Sequence, residues 1–168
     1  MYKLISFLSL AILLVSCNNY NYTITGDVPV ADFEGKTIRL FINDSQSNRV
    51  VLNESVIKKG KYTMKGNTDS SFVATLMIVL DELPYILPVA VEQGQIYVKM
   101  GYTTNVRGTE LNDKLQDFML AKDAFVDANS DDSQSNMPLF NQFIQEQIQL
   151  YSNNYPQLSR YIRDHYLR

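Results

Sequence analysis

Glycine divides this chain into two parts that follow different folding rules. All seven glycines lie between Gly26 and Gly108, and none follows Gly108. Glycine is favoured at tight turns that need positive φ, and it is disfavoured inside helices. We therefore expect strands and turns before Gly108 and helices after it.

The glycine-containing part consists of short runs rich in β-branched and aromatic residues. Turn residues separate the runs at intervals of roughly 8–12 residues, which is typical of an antiparallel sandwich or barrel. Lys58–Gly60 is expected to be a hairpin turn with Gly60 at positive φ. The sequence predicts a β-sandwich or barrel-like module over residues 17–108. Its expected strands are 20–28, 37–42, 50–57, 61–65, 72–80, 85–91, 95–100 and 105–108.

The part without glycine, residues 109–168, predicts a tail of two or three helices. Thr109 suits an N-cap, and Pro156 suits the first turn of the last helix. Apolar residues recur between and after them at helical spacing, so each helix should have one buried face. These residues are Leu111, Leu115, Phe118, Met119, Phe125, Phe140, Phe143, Ile144, Ile148, Tyr151, Leu158, Tyr161 and Ile162.

The first 16 residues have the pattern of a lipoprotein signal peptide. Lys3 precedes an apolar run of about a dozen residues, too short for a membrane span, which needs about 20. The run ends in Leu14-Val15-Ser16-Cys17, with a branched apolar residue and a small residue at the positions that a lipobox requires. We expect lipidation of Cys17 and attachment to a membrane through its acyl chains. A secretory signal with an accidental Cys, or a buried N-terminal strand, is the alternative.

Composition and residue spacing argue against several classes of function. The formal net charge is −3, which does not favour nucleic acid as a partner. Cys17 is the only cysteine and His165 the only histidine, so no CxxC pair, triad or metal set can be assembled from them. The pairs Asp81-Glu82 and Asp131-Asp132 lack the spacing of a Ca²⁺ loop and are expected to be solvated turns. We expect neither catalytic residues nor a cofactor or metal.

Four stretches of the β part resemble a known family. They are 22–28 (YTITGDV), 56–66 (VIKKGKYTMKG), 91–96 (VEQGQI) and 106–113 (VRGTELND). Together they resemble the domain of unknown function DUF4369, a β-rich N-terminal module of Bacteroidetes-type lipoproteins. In that family a helical linker and a thioredoxin-like domain commonly follow. The resemblance spans roughly residues 22–125.

The resemblance implies a function and a departure from the family. We expect no thioredoxin-like domain with a CxxC after the helices, and a stand-alone relative, a split gene and a shortened product all stay open. We expect a non-catalytic envelope lipoprotein module that binds another protein, with a thioredoxin-like protein or a second copy as partner. The alternatives are the non-catalytic half of a split thiol-disulfide oxidoreductase and a glycan- or ligand-binding lipoprotein.

The family context also bears on the last helix and on location. In longer relatives the last helix leads into the next domain, so Leu158, Tyr161 and Ile162 should have less to pack against. We expect these three residues to form a partner surface. The run Asn18–Tyr22 after Cys17 contains no acidic residue. By the export rule of such envelopes, the protein should face the periplasm, anchored to the outer membrane.

Overall fold

The computed structural model of the chain describes residues 20–79, 84–129 and 137–167. Within these ranges eight strands are followed by three helices, which confirms the predicted β module with a helical tail. The elements are β1 (Tyr22–Asp27), β2 (Thr37–Asn43), β3 (Arg49–Val56), β4 (Lys61–Gly66), β5 (Phe72–Val79), β6 (Pro84–Val91), β7 (Gly94–Lys99), β8 (Asn105–Arg107), α1 (Glu110–Ala128), α2 (Met137–Ser152) and α3 (Pro156–Tyr166). The predicted signal peptide, Cys17 and both acidic pairs lie outside the described residues.

The strands form two four-stranded sheets that face each other as a sandwich. One sheet has the order β4-β1-β7-β8 and the other the order β3-β2-β5-β6. All neighbouring strands are antiparallel except β1 and β7, which run parallel from Tyr22 opposite Gly94 to Asp27 opposite Lys99. The sheets do not close into a barrel, so of the two predicted architectures the sandwich is the one formed.

The space between the sheets is filled by alternate residues of the facing strands. Ile24 lies opposite Ile96 in one sheet, and Leu40 lies opposite Leu76 in the other. All four side chains are fully buried in the same apolar cluster. Because side chains alternate between the faces of a strand, this pattern fixes which face of each sheet points inward.

The segment Lys58–Gly60 forms a tight turn but not the predicted hairpin. Lys59 has φ 53° and Gly60 φ 68°, and Lys58 and Lys61 exchange two backbone hydrogen bonds of 2.9 and 3.1 Å. Beyond this single bridge the two strands separate, since β3 pairs with β2 and β4 pairs with β1. The turn therefore carries the chain from one sheet to the other.

The helices cover part of the outer face of the sheet that contains β5 and β6. Val73 and Ala90, which lie opposite each other on these strands, belong to a second apolar cluster with residues of all three helices. The Phe125 ring of α1 stacks on Phe143 of α2 with ring centres 4.7 Å apart. In the described ranges no helix is long and apolar enough to cross a membrane.

Candidate functional site

Two glycines of the family-like stretches lie beneath tyrosine rings of the neighbouring strand. Gly26 is opposite Tyr62, and Tyr22 is opposite Gly66, across the β1–β4 pair. A Cβ atom on either glycine would overlap the facing ring. The tyrosines are 6% and 3% exposed, at positions 22 and 62 respectively. These glycines are therefore needed for packing, because each leaves room for an aromatic ring over the sheet.

The turn between β3 and β4 is held by a carboxylate that is distant in sequence. Glu34 accepts hydrogen bonds from the backbone N–H groups of Lys59 and Gly60, at 2.8 and 3.0 Å. These two bonds lower the pKa of Glu34 below its ordinary value. The N–H groups of Lys59 and Gly60 thus form a binding site for an anion, and the Glu34 carboxylate of the same chain occupies it.

Asn112 on α1 joins the helix to the edge of β6. Its side-chain amide accepts a hydrogen bond from the Ala90 N–H at 2.9 Å and donates one to the Ala90 carbonyl at 2.8 Å. It also donates to the Thr109 hydroxyl at 2.7 Å. Asn112 and Ala90 are both fully buried. The amide acts in place of a neighbouring strand residue and satisfies both polar backbone groups of Ala90.

Two further side chains complete the attachment of α1. Gln116, one helical turn after Asn112, accepts a hydrogen bond from the Val106 N–H of β8 at 2.7 Å. Glu92, in the turn between β6 and β7, accepts one from the Leu111 N–H at 2.8 Å, which satisfies a free donor at the start of α1. Thr109 occupies the predicted N-cap position, but its side chain does not cap the helix. One helix thus binds one edge of each sheet.

Asn112 and Gln116 are buried polar residues that the apolar pattern of α1 does not indicate. Both follow a buried leucine directly, and they are spaced i, i+4. That spacing places two amides on one helical face beside the apolar stripe. An amide pair in this position is a usable signal for contact with a strand edge.

The residues predicted as a partner surface are not presented together on the surface. Leu158 and Ile162 are fully buried among side chains of α1 and α2, including Leu115, Phe118 and Ile144. The reason is that α3 packs its apolar face on the chain's own helices. A partner would reach Leu158 and Ile162 only after α3 had undocked.

Tyr161 is the one member of the predicted set that reaches a concave surface. A cleft of about 730 Å³ lies between α3 and the start of β5. Its helical wall carries Gln157, Arg160, Tyr161, Asp164 and His165, and its sheet wall includes Phe41, Phe72 and Val73. Of the helical residues, all but Tyr161 are exposed. The cleft therefore combines charged groups of both signs with aromatic and aliphatic surface.

Two rings in the helical wall of the cleft, those of Tyr161 and His165, are in contact with each other. The His165 ring packs on the Tyr161 ring with centres 4.2 Å apart, and its Nδ1 lies 2.9 Å from the Tyr161 carbonyl oxygen. Burial raises the pKa of the Tyr161 phenol, so this group stays neutral. In the part of the chain that the structure describes, no group of three or more His, Cys, Asp or Glu side chains is placed to hold a metal ion.

Comparison with known families gives a match, which covers most of the β part of the chain. The pattern of the domain of unknown function DUF4369 matches residues 22–115. The chain belongs to this family. The match begins at the first residue of β1 and ends within α1, beyond Asn112. The matched range therefore includes Asn112, which binds the edge of β6, and ends one residue before Gln116, which binds the edge of β8. No curated protein matches the chain.

Proposed function

We propose that this DUF4369 protein is a non-catalytic lipoprotein module of the cell envelope that binds another protein through the cleft between α3 and β5. The observation that supports the proposal most directly is the composition of the cleft. Arg160, Asp164 and Tyr161 stand on one wall, facing Phe41 and Phe72 on the other. Arginine and aromatic side chains are enriched at protein interfaces, where they supply much of the binding energy.

Residues of the family-like stretches, together with Glu34, support a scaffold role. Gly26 leaves room for a tyrosine ring, Glu34 holds a turn, and Asn112 satisfies a buried strand residue. Residues used in this way stabilise a rigid sandwich. A rigid support lowers the entropy cost of presenting a binding surface.

The class of partner and the location are part of the proposal. The family resemblance favours a thioredoxin-like protein of the same compartment as the partner. Acyl chains on Cys17 would hold the module at the periplasmic face of the outer membrane. An anchored adapter of this kind would raise the local concentration of its partner near the membrane.

Site-specific photocrosslinking in intact cells tests the cleft. A photoreactive phenylalanine analogue replaces Arg160 in the cleft wall, and in a matched control it replaces Leu150, which is 65% exposed on α2 and does not line the cleft. We expect a discrete crosslinked product from position 160 that position 150 does not give. Mass spectrometry of that product then identifies the class of partner.

A second substitution makes the crosslinking result specific. Asp164→Lys reverses a charge in the same wall and should remove the product obtained from position 160, because a complementary surface would then meet a like charge. Identical products from positions 160 and 150, or a product that Asp164→Lys leaves unchanged, would contradict binding at the cleft.

A further inference from the structure

Three of the four sheet edges carry features that prevent pairing with another strand. Gln116 binds Val106 at the edge of β8, and Asn112 binds Ala90 at the edge of β6, which also contains Pro84 and Pro88. The edge strand β4 presents Lys61 and Lys65. Covering elements, prolines and lysines are the usual devices against edge-to-edge association.

The fourth edge, β3, has a different character. It is eight residues long with the sequence RVVLNESV, and it has no strand neighbour on its outer side. Val50, Val51, Leu52 and Val56 are 42%, 52%, 40% and 44% exposed. A long apolar edge strand without a hydrogen-bonded strand neighbour on one side is the geometry that accepts an added strand.

An irregularity in the pairing of β3 brings its two charged residues to one face. The register with β2 shifts between Leu40 and Phe41, which leaves Leu52 without a partner residue on β2. Arg49 and Glu54 consequently lie opposite Asn43 and Arg39, two residues of β2 that share a face. In a regular strand, residues five apart would point to opposite faces.

We propose that β3 pairs with β3 of a second copy of this chain, antiparallel about a two-fold axis between Val51 and Leu52. In this register Arg49 of each copy lies opposite Glu54 of the other, on the same face, and Val51 lies opposite Leu52. A parallel arrangement would instead place arginine against arginine. The strand thus provides its own complement, as a two-fold interface requires.

The pairing joins the β3-β2-β5-β6 sheets of two copies into one continuous eight-stranded sheet. None of the β3 residues lines the cleft beside α3, and the pairing does not depend on the function proposed for that cleft. Failure of cleft crosslinking and failure of β3 pairing are therefore separate results.

Charge reversal tests the register on the detergent-solubilised full chain by sedimentation. The unaltered chain should be a dimer. Glu54→Arg should raise the dimer dissociation constant about tenfold, because two interchain ion pairs become repulsive, and adding Arg49→Glu should restore it. Arg39→Ala is the matched control. It removes the ion pair that Glu54 makes within one chain, at 3.3 Å, and should leave the dimer unchanged.

Cysteine pairing in isolated membranes gives a second test that keeps the fold intact. Copies with Arg49→Cys and differently tagged copies with Glu54→Cys should form a disulfide-linked dimer on mild oxidation. Two Arg49→Cys copies, or two Ile86→Cys copies on the opposite edge, should give no more dimer than unaltered chains. A monomer at all concentrations, a dimer insensitive to Glu54→Arg, or equal crosslinking of all combinations would overturn the proposal.

Discussion

Removal of the Asn112 amide is expected to be one of the most destabilising polar substitutions in this protein. In Asn112→Ala the Ala90 N–H and carbonyl lose their hydrogen-bond partner, and both residues are fully buried. An unsatisfied buried backbone group costs about 1–3 kcal/mol, so with two such groups the free energy of unfolding should fall by about 2–6 kcal/mol. For a domain of this size the melting temperature should drop by roughly 5–15 °C.

Urea unfolding followed by circular dichroism measures the change. The midpoint should shift to lower urea while the slope stays constant, as for a loss of stability without a change in the surface exposed on unfolding. The matched control is Gln145→Ala, which removes an exposed amide from α2 and should change stability by less than about 0.5 kcal/mol.

A shape-conserving variant separates hydrogen bonding from packing. Asn112→Leu fills a similar volume but can neither donate to nor accept from Ala90, so it should be about as unstable as Asn112→Ala. Hydrogen exchange at the Ala90 amide should accelerate in both variants. If Asn112→Leu is as stable as the unaltered protein, Asn112 contributes through its volume alone. The proposed contribution of its hydrogen bonds with Ala90 is then refuted.

Three further substitutions test other parts of the chain. Gly26→Ala should destabilise the folded state by about 1–3 kcal/mol, because the added methyl group overlaps the Tyr62 ring. In a double-mutant cycle, Gly26→Ala combined with Tyr62→Ala should cost less stability than the sum of the two single changes. Strict additivity would contradict the contact. The pKa of Glu34 is lowered from its ordinary value of 4.5, so the ionised carboxylate stabilises the folded state at pH values above 4.5. This stabilisation is lost as the pH falls through the lowered pKa of the folded state. Melting temperatures of Glu34→Gln and the unaltered protein should therefore differ at neutral pH and converge in acid, and a pH-independent difference would argue against this account. Cys17→Ala should abolish labelling with radioactive palmitate and release the protein from membranes, and unchanged labelling would refute lipidation at that position.

Local patterns in the sequence were sufficient for the elements of the fold. Each run of β-branched and aromatic residues became a strand, and Gly60 adopted the positive φ that its turn position predicted. Pro156 begins α3, as its fixed φ and missing N–H favour. These features depend on residues a few positions apart, so a single sequence contains the information that they need.

The pairing of the strands was decided by tertiary structure. Lys58–Gly60 has the sequence of a hairpin turn and the geometry of one, yet the strands on either side of it enter different sheets. A turn governs the direction of only the next residue or two. The neighbour of β4 is decided by a packing that buries the apolar faces of β1, β2 and β7 at the same time. This packing includes the β1–β7 pair, whose strands are far apart in sequence.

The use of side chains on the helices also required the folded chain. Helical spacing predicted that Leu158 and Ile162 lie on one apolar face of a helix. It did not show that side chains of α1 and α2 would bury that face. Asn112 reads in the sequence as an ordinary polar residue of an amphipathic helix. Its role exists only because the fold brings the free edge of β6 to within hydrogen-bond distance of its amide. The sequence by itself determined where strands, turns and helices form, because these depend on local backbone preferences. The tertiary structure decided which residues are buried and which groups they bind, because these depend on contacts that only the folded chain makes.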